Sequence, residues 1–202
     1  MKEQHLLLPI SILFLSCTTA LGEVPYKQHP FLAEYKVTAP ILLASSRLRV
    51  AYDGHGHARL EECDIHIPFH RSKNVQHISF LDFNTNTSRR LIQDEQRIAL
   101  EILGDAGCEY VFPRTIYTQY TKENLGPRTI RSHRCHGWRY QIDHGSFELW
   151  IDDELGIPVW MKDSPDKSEW ASGSSITRLV NYSSSPNPED FTIPPEYSEK
   201  AK

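Results

Sequence analysis

The stretch Phe147-Glu148-Leu149-Trp150-Ile151-Asp152, then Asp153-Glu154-Leu155-Gly156, then Ile157-Pro158-Val159-Trp160-Met161-Lys162, decides the fold class. Its first arm alternates with the two-residue period of a strand. Phe147, Leu149 and Ile151 fall on one face, and Trp150, between Glu148 and Asp152, on the other. A polar turn ending in glycine follows, and on the return arm Val159 and Met161 oppose Trp160, so the stretch reads as a β-hairpin. Apolar groups on both faces need two covers, or one cover and a ligand. Trp150 and Trp160 also read as a cross-strand pair packed beneath a loop or helix.

Working outward, the same signal repeats. Phe31-Leu32-Ala33-Glu34-Tyr35-Lys36-Val37 and Leu48-Arg49-Val50-Ala51-Tyr52 are strand-like, and Asp53-Gly54 is a hairpin dipeptide leading into Ala58-Arg59-Leu60-Glu61. Ile78-Ser79-Phe80-Leu81-Asp82-Phe83 runs into the polar turn Asn84-Thr85-Asn86-Thr87. Further strand-like segments are Tyr110-Val111-Phe112-Pro113, Thr129-Ile130-Arg131, Trp138-Arg139-Tyr140-Gln141-Ile142 and Ile176-Thr177-Arg178-Leu179-Val180-Asn181-Tyr182. Residues 88–104 stay open between two readings. One is a helix capped by Ser88 and stopped by Gly104; the other is a hairpin turning at Asp94-Glu95. About ten strands, with no βαβ alternation and no repeat, predict a mainly β protein with few short helices. The expected form is a single curved antiparallel sheet, partly closed.

This order of segments resembles the lipoprotein-carrier superfamily of LolA- and LolB-like exported proteins, and most of all its poorly characterised branches. The likeness covers residues 31–197. Its most specific element is the hairpin Glu148-Leu149-Trp150-Ile151-Asp152 with Gly156-Ile157-Pro158-Val159, and the second is Phe191-Thr192-Ile193-Pro194-Pro195-Glu196-Tyr197. The resemblance implies an unclosed half-barrel whose concave face holds acyl chains or another apolar guest beneath short helices. Helix candidates are few here, and the arginine motif that locks the carriers' lid has no match. No functional residue is carried over from the family.

Composition fits an ordinary globule. Charged residues are 24% and hydrophobic residues 39% of 202, and the net charge is -4. A chain of this length can bury roughly 70% of its unfolded surface. No basic stripe marks a nucleic-acid binder. Residues 1–22 read as a secretory signal: Lys2, an apolar core from Leu6 to Leu15, and Ala20-Leu21-Gly22 ahead of Glu23. That core is too short to cross a membrane, which takes about 20 residues. The alternatives are a buried N-terminal helix and lipidation at Cys17. Residues 23–202 then form one exported domain, periplasmic or secreted, with a Pro/Ser-rich segment from residue 183 and no later membrane span. Of its three cysteines, Cys108 and Cys135 are the expected disulfide, since both flank strand-like segments, and Cys63 is left over. The competing reading makes all three buried thiols.

Chemistry-bearing motifs are sparse. His55 and His57 sit at a turn, and with His66 and His70 they lack the established convergence a metal site needs, so no metal and no cofactor are expected. His133-Arg134-Cys135-His136 reads as an activated thiolate, a disulfide half or a buried thiol. Asp152-Asp153-Glu154 reads as a solvated turn rather than an acid–base pair. No nucleophile elbow or phosphate loop is present, so no catalytic residue is assigned and no enzymatic activity is expected. The expected function is non-covalent, the binding or carriage of a lipid, a lipoprotein acyl chain or another hydrophobic small molecule. The inner-face candidates are Leu48, Val50, Tyr52, Ile78, Phe80, Phe147, Leu149, Ile151, Val159, Met161, Val180 and Tyr182. The alternative is a structural or assembly module of the cell envelope, with a self-filled sheet and an envelope protein as partner. An enzyme with an unrecognised site is the third reading.

Overall fold

A computed structural model describes residues 29–39, 44–66, 77–103, 107–113, 120–143, 145–166 and 173–199. The expected signal segment, Cys17, Pro68, His70 and Gly104 lie outside these residues. Alternating apolar positions form strands β1 (Phe31–Ala39), β2 (Ala44–Tyr52), β3 (His57–His66), β4 (His77–Asp82), β5 (Thr87–Ile92) and β6 (Arg97–Ile102). A one-turn helix α1 (Cys108–Val111) follows. Then come β7 (Lys122–Ile130), β8 (His133–Ile142), β9 (Gly145–Asp152), β10 (Pro158–Pro165), β11 (Ser175–Ser183) and the two-residue β12 (Ser198–Glu199).

All twelve strands belong to one sheet in the order β12-β6-β5-β4-β3-β2-β1-β11-β10-β9-β8-β7. Two antiparallel meanders, β1–β6 and β7–β11, meet where β1 pairs with β11. Among the described strands, β12 alone runs parallel to its neighbour, β6. The terminal strands β12 and β7 do not pair with each other, so the sheet is not a closed barrel. Register shifts interrupt the ladders at Glu34/Tyr35, Ser45/Arg47, Asn124/Gly126 and Pro158/Trp160. Each adds local twist and bends the bulged strand.

The two open readings of residues 88–104 resolve in favour of a hairpin. β5 and β6 are joined by a 3-10 turn over Gln93–Glu95, and Gln96 takes a left-handed φ of 47° at its end. Tyr110-Val111-Phe112-Pro113 corrects the strand reading. It forms α1 and its exit, because these side chains are buried on the sheet rather than beside another strand. Gly107 starts that turn at φ 75°, and a Cβ there would stand 2.7 Å from Leu81 Cδ1 and 2.9 Å from Leu60 Cδ2. Only glycine lets the segment lie this close to the sheet.

Register partners share a face, which defines the inner side. Phe31, Ala33 and Tyr35 stand opposite Tyr52, Val50 and Leu48, and Tyr52 opposite Ala58, which pairs with Leu81. The α1 segment covers this patch. Phe112 meets Tyr52 edge-on at 5.8 Å and Phe83 at 4.9 Å, and Tyr110 lies 5.2 Å from Tyr35. On the outer face Ile78, Phe80 and Leu91 form a separate cluster, against which Ile98, Ile193 and Tyr197 pack. The Phe191-to-Tyr197 motif is therefore a strap and not a strand. Its 3-10 turn Pro188–Phe191 is capped by Asn187, and the buried Asp190 carboxylate sits 3.0 Å from Arg49 Nη2.

Candidate functional site: an aromatic groove on the inner face

The inner face continues past β1. Val37 stands opposite Thr177, Thr177 opposite Met161, Met161 opposite Leu149, and Leu149 opposite Trp138. One row thus crosses five strands, and past the contact of Tyr110 it borders a groove. The groove has a volume of about 290 Å³ and is lined by Lys122, His136, Trp138, Tyr140, Ile151 and Asp153. Alternation in β8 brings His136, Trp138 and Tyr140 to the same side. Tyr140, Leu149, Ile151 and Met161 form the buried cluster here, with Phe147, Trp138, Ile142, Tyr110 and Tyr120 packed against it.

Lys122, His136 and Asp153 make half of the described lining polar, and two of the three are engaged. His136 packs against Trp138 at 4.6 Å between ring centres, and its Nε2 donates to Asn124 Oδ1 at 2.7 Å. Asp153 pairs with Arg134 at 3.4 Å. Burial pushes the Tyr140 phenol above its ordinary range. Between the groove and the α1 patch lie several hydroxyls: Ser46 donates to Glu62 Oε1 at 2.6 Å, and Tyr110 shares a hydrogen bond with Thr177. The buried Tyr35 hydroxyl has no partner among the described residues. Its phenol is raised, first by burial and then by Glu109.

The structure divides the sequence candidates. Phe147, Leu149, Ile151 and Met161 meet in the groove cluster. Leu48, Val50, Tyr52 and Val159 belong to the large cluster that includes the α1 segment, and Tyr182 packs against it, stacked on Phe31 at 6.4 Å. Val159 stands at the Pro158/Trp160 shift, which breaks the alternation expected for it. Ile78 and Phe80 are corrected to the outer face, because Leu81 pairs inward with Ala58. Val180, at the Glu34/Tyr35 shift, is 58% exposed. Trp150 and Trp160 are register partners, as one reading of the hairpin expected. A Cβ on Gly137 would approach the Trp150 ring to 2.7 Å, so the glycine seats the indole on β8. Lys122, His136, Trp138, Tyr140 and Asp153 are groove residues that the sequence reading missed. The aromatic alternation His136, Trp138, Tyr140 is the signal that points to three of them.

The reactive readings near Cys135 also settle. No disulfide joins Cys108 to Cys135. Cys135 is fully buried in β8, its Sγ donates to the His133 carbonyl at 3.5 Å, and burial together with Asp152 pushes its thiol up to about 11. A thiol held so high is not a nucleophile at neutral pH. Asp152 is buried rather than solvated and accepts from the backbone N–H groups of Glu154 and Leu155, both at 2.8 Å, and from His133 Nδ1 at 2.8 Å. His57 is tied to Asp53, and among the described residues no three His, Cys, Asp or Glu converge as a metal site would require.

Sheet and groove together define an open, single-sheet β protein with an aromatic-walled groove on one face. Solved structures of this fold are known. An uncharacterized conserved protein from Thermus thermophilus is 9% identical with a TM-score of 0.55, over 80% of this chain and 82% of that one. The Pseudomonas aeruginosa MucA/MucB complex contains a chain 11% identical with a TM-score of 0.51, covering 86% of this chain; the match spans 58% of that longer chain. A LolA superfamily protein from Nitrosomonas europaea is 11% identical with a TM-score of 0.40, over 83% of this chain and 92% of that one. The open, mostly antiparallel sheet expected from the sequence is thus met in solved structures at the level of fold. No family profile matches the chain, and no curated protein is similar to it.

Proposed function

We propose that this protein is an exported binding or carrier protein that holds the acyl chain of a lipid or other amphiphile in the groove over β7–β9. The observation that carries this reading is the groove itself, a concavity of about 290 Å³ lined by Trp138, Tyr140 and Ile151 together with Lys122, His136 and Asp153, with Leu149 and Met161 buried in the cluster beneath. Each methylene withdrawn from water there contributes about 0.8 kcal/mol. Eight would supply about 6 kcal/mol before the losses of association. The sequence reading adds export through residues 1–22. No described helix is long and apolar enough to cross a membrane.

Titration with a fluorescent fatty-acid analogue tests the reading. The folded chain should bind it, and Leu149→Ala should weaken binding while an unfolding curve tracks the lost stability separately. A folded wild-type chain with no affinity for any acyl probe overturns the carrier reading. The second reading, an envelope assembly module, is favoured by the α1 segment filling the β1–β4 end of the sheet. A fold neighbour that is found in a protein complex also supports a protein partner.

A further inference from the structure

We infer that the groove selects amphiphiles with a single chain and an anionic head, and that Lys122 reads the charge. This rests on the groove reading above and adds to it the ligand's charge and chain number. The first support is size. About 290 Å³ is at the small end of ligand pockets, which run from about 300 to 1,000 Å³. One chain fits within it, and a head carrying several acyl chains does not.

The second support is the distribution of charge. The chain as a whole is net negative, yet residues 122–139 hold Lys122, Arg128, Arg131, Arg134 and Arg139 against a single acid, Glu123. The arginines are engaged. Arg139 bridges Glu123 and Glu148 at 2.9 and 2.8 Å, Arg134 pairs with Asp153, Arg131 donates to the Leu179 carbonyl at 3.2 Å, and Arg128 lies 5.7 Å over the Trp150 ring. Lys122 lines the groove and, among the described residues, has no carboxylate partner. Among the described residues, the acid on the rim, Asp153, is balanced by Arg134, which leaves Lys122 as the uncompensated charge there.

The third support is adjacency. Lys122 is the register partner of Tyr140 and so stands at the end of the aromatic row His136, Trp138, Tyr140. A tail lying along Trp138 carries its head to that ammonium, which recognises a carboxylate or a phosphate equally as a point charge.

The test is displacement of the neutral probe N-phenyl-1-naphthylamine from the full chain by dodecanoate, dodecyl maltoside and dodecyltrimethylammonium. Dodecanoate should bind about fivefold tighter than the maltoside, as one partly exposed ion pair allows, and the cation should bind weakest. The gap should shrink in 1 M salt, where the screening length falls to about 3 Å. Lys122→Glu should reverse the order of anion and cation, and Lys122→Gln should erase the gap. Lys122 is exposed on an edge strand, so both variants retain the fold. Equal affinities in the wild type, or an unchanged ranking in Lys122→Glu, overturn the charge assignment and leave the groove reading standing. A two-chain phosphatidylglycerol that binds tighter than dodecanoate overturns the single-chain assignment. Failure of all three amphiphiles to displace the probe overturns the groove reading with it.

Discussion

Over β1–β4 the inner face carries Phe31, Tyr52, Ala58 and Leu81, and the α1 segment lowers Val111 and Phe112 onto them. Over β8–β10 the same face carries Trp138, Tyr140, Leu149 and Met161, and a groove remains open beside them. Both ends come from the same alternating pattern, and they differ in the cover that reaches them. Among the described residues, the α1 segment sets Val111 and Phe112 on the first end and reaches the second only through Tyr110. At the first end aromatic burial serves stability, and at the second the proposed function assigns the open surface to a guest.

This contrast can be broken most forcefully at its filled end. Phe112→Ala removes a ring held edge-on by both Tyr52 and Phe83. It should cost about 3–5 kcal/mol in chemical unfolding. A loss below about 1 kcal/mol would mean that the α1 segment is not part of the core. Next in size is Gly137→Val, which should cost about 1–3 kcal/mol by driving a side chain into the Trp150 ring. Unfolding midpoints measure it, and the accompanying blue or red shift of tryptophan emission shows whether the indole has moved.

The open end should respond in the opposite sense. Trp138→Ala changes a half-buried groove wall, so it should cost only about 1 kcal/mol of stability. It should weaken acyl-probe binding about tenfold, equivalent to roughly 1.4 kcal/mol. If Trp138→Ala destabilises as much as Phe112→Ala and leaves binding intact, the two ends are one continuous core and the contrast fails.

The smallest expected effect is a pH dependence at the turn beside the groove. Burial alone would raise the Asp152 carboxyl, but the N–H groups of Leu155 and Glu154 and the His133 ring hold it below the ordinary 3.8. A depressed carboxyl contributes stability that is fully present above the unfolded value and is lost as pH falls through the folded one. Denaturation curves should therefore weaken progressively below about pH 4. Asp152→Asn should flatten part of that acid limb and cost about 1 kcal/mol at neutral pH. Asp53 and Asp82 shift in the same direction, so some acid sensitivity remains in the variant.

Much of the fold was legible in advance because strand alternation is a local property. Phe147, Leu149 and Ile151 share a face in the chain as they do in the sheet, and the turn at Asp53-Gly54 joins β2 to β3 as its dipeptide predicts. Errors arose where a side chain's fate depends on a distant segment. Tyr110-Val111-Phe112 has strand-like composition, and it coils because Leu60 and Leu81 wait beneath Gly107. Ile78 and Phe80 are as apolar as Leu81 and Phe83. Which pair faces inward is set by the register of β4 against β3, and a one-residue slip would exchange the two faces with no change in composition.

The sequence by itself determined a β-rich, largely antiparallel chain, the hairpin over residues 147–162 and the absence of a local catalytic motif, because strand period and turn chemistry act over a few neighbouring residues. Only the tertiary structure decided that the apolar surface divides into a roofed half and an open groove, that Cys135 is a buried thiol unlinked to Cys108, and that Lys122 and Trp138 stand together. Those outcomes depend on pairings across the sheet, from β8 to β1 and from α1 to β4, between residues far apart in the chain. No local pattern encodes where a short cover comes to rest.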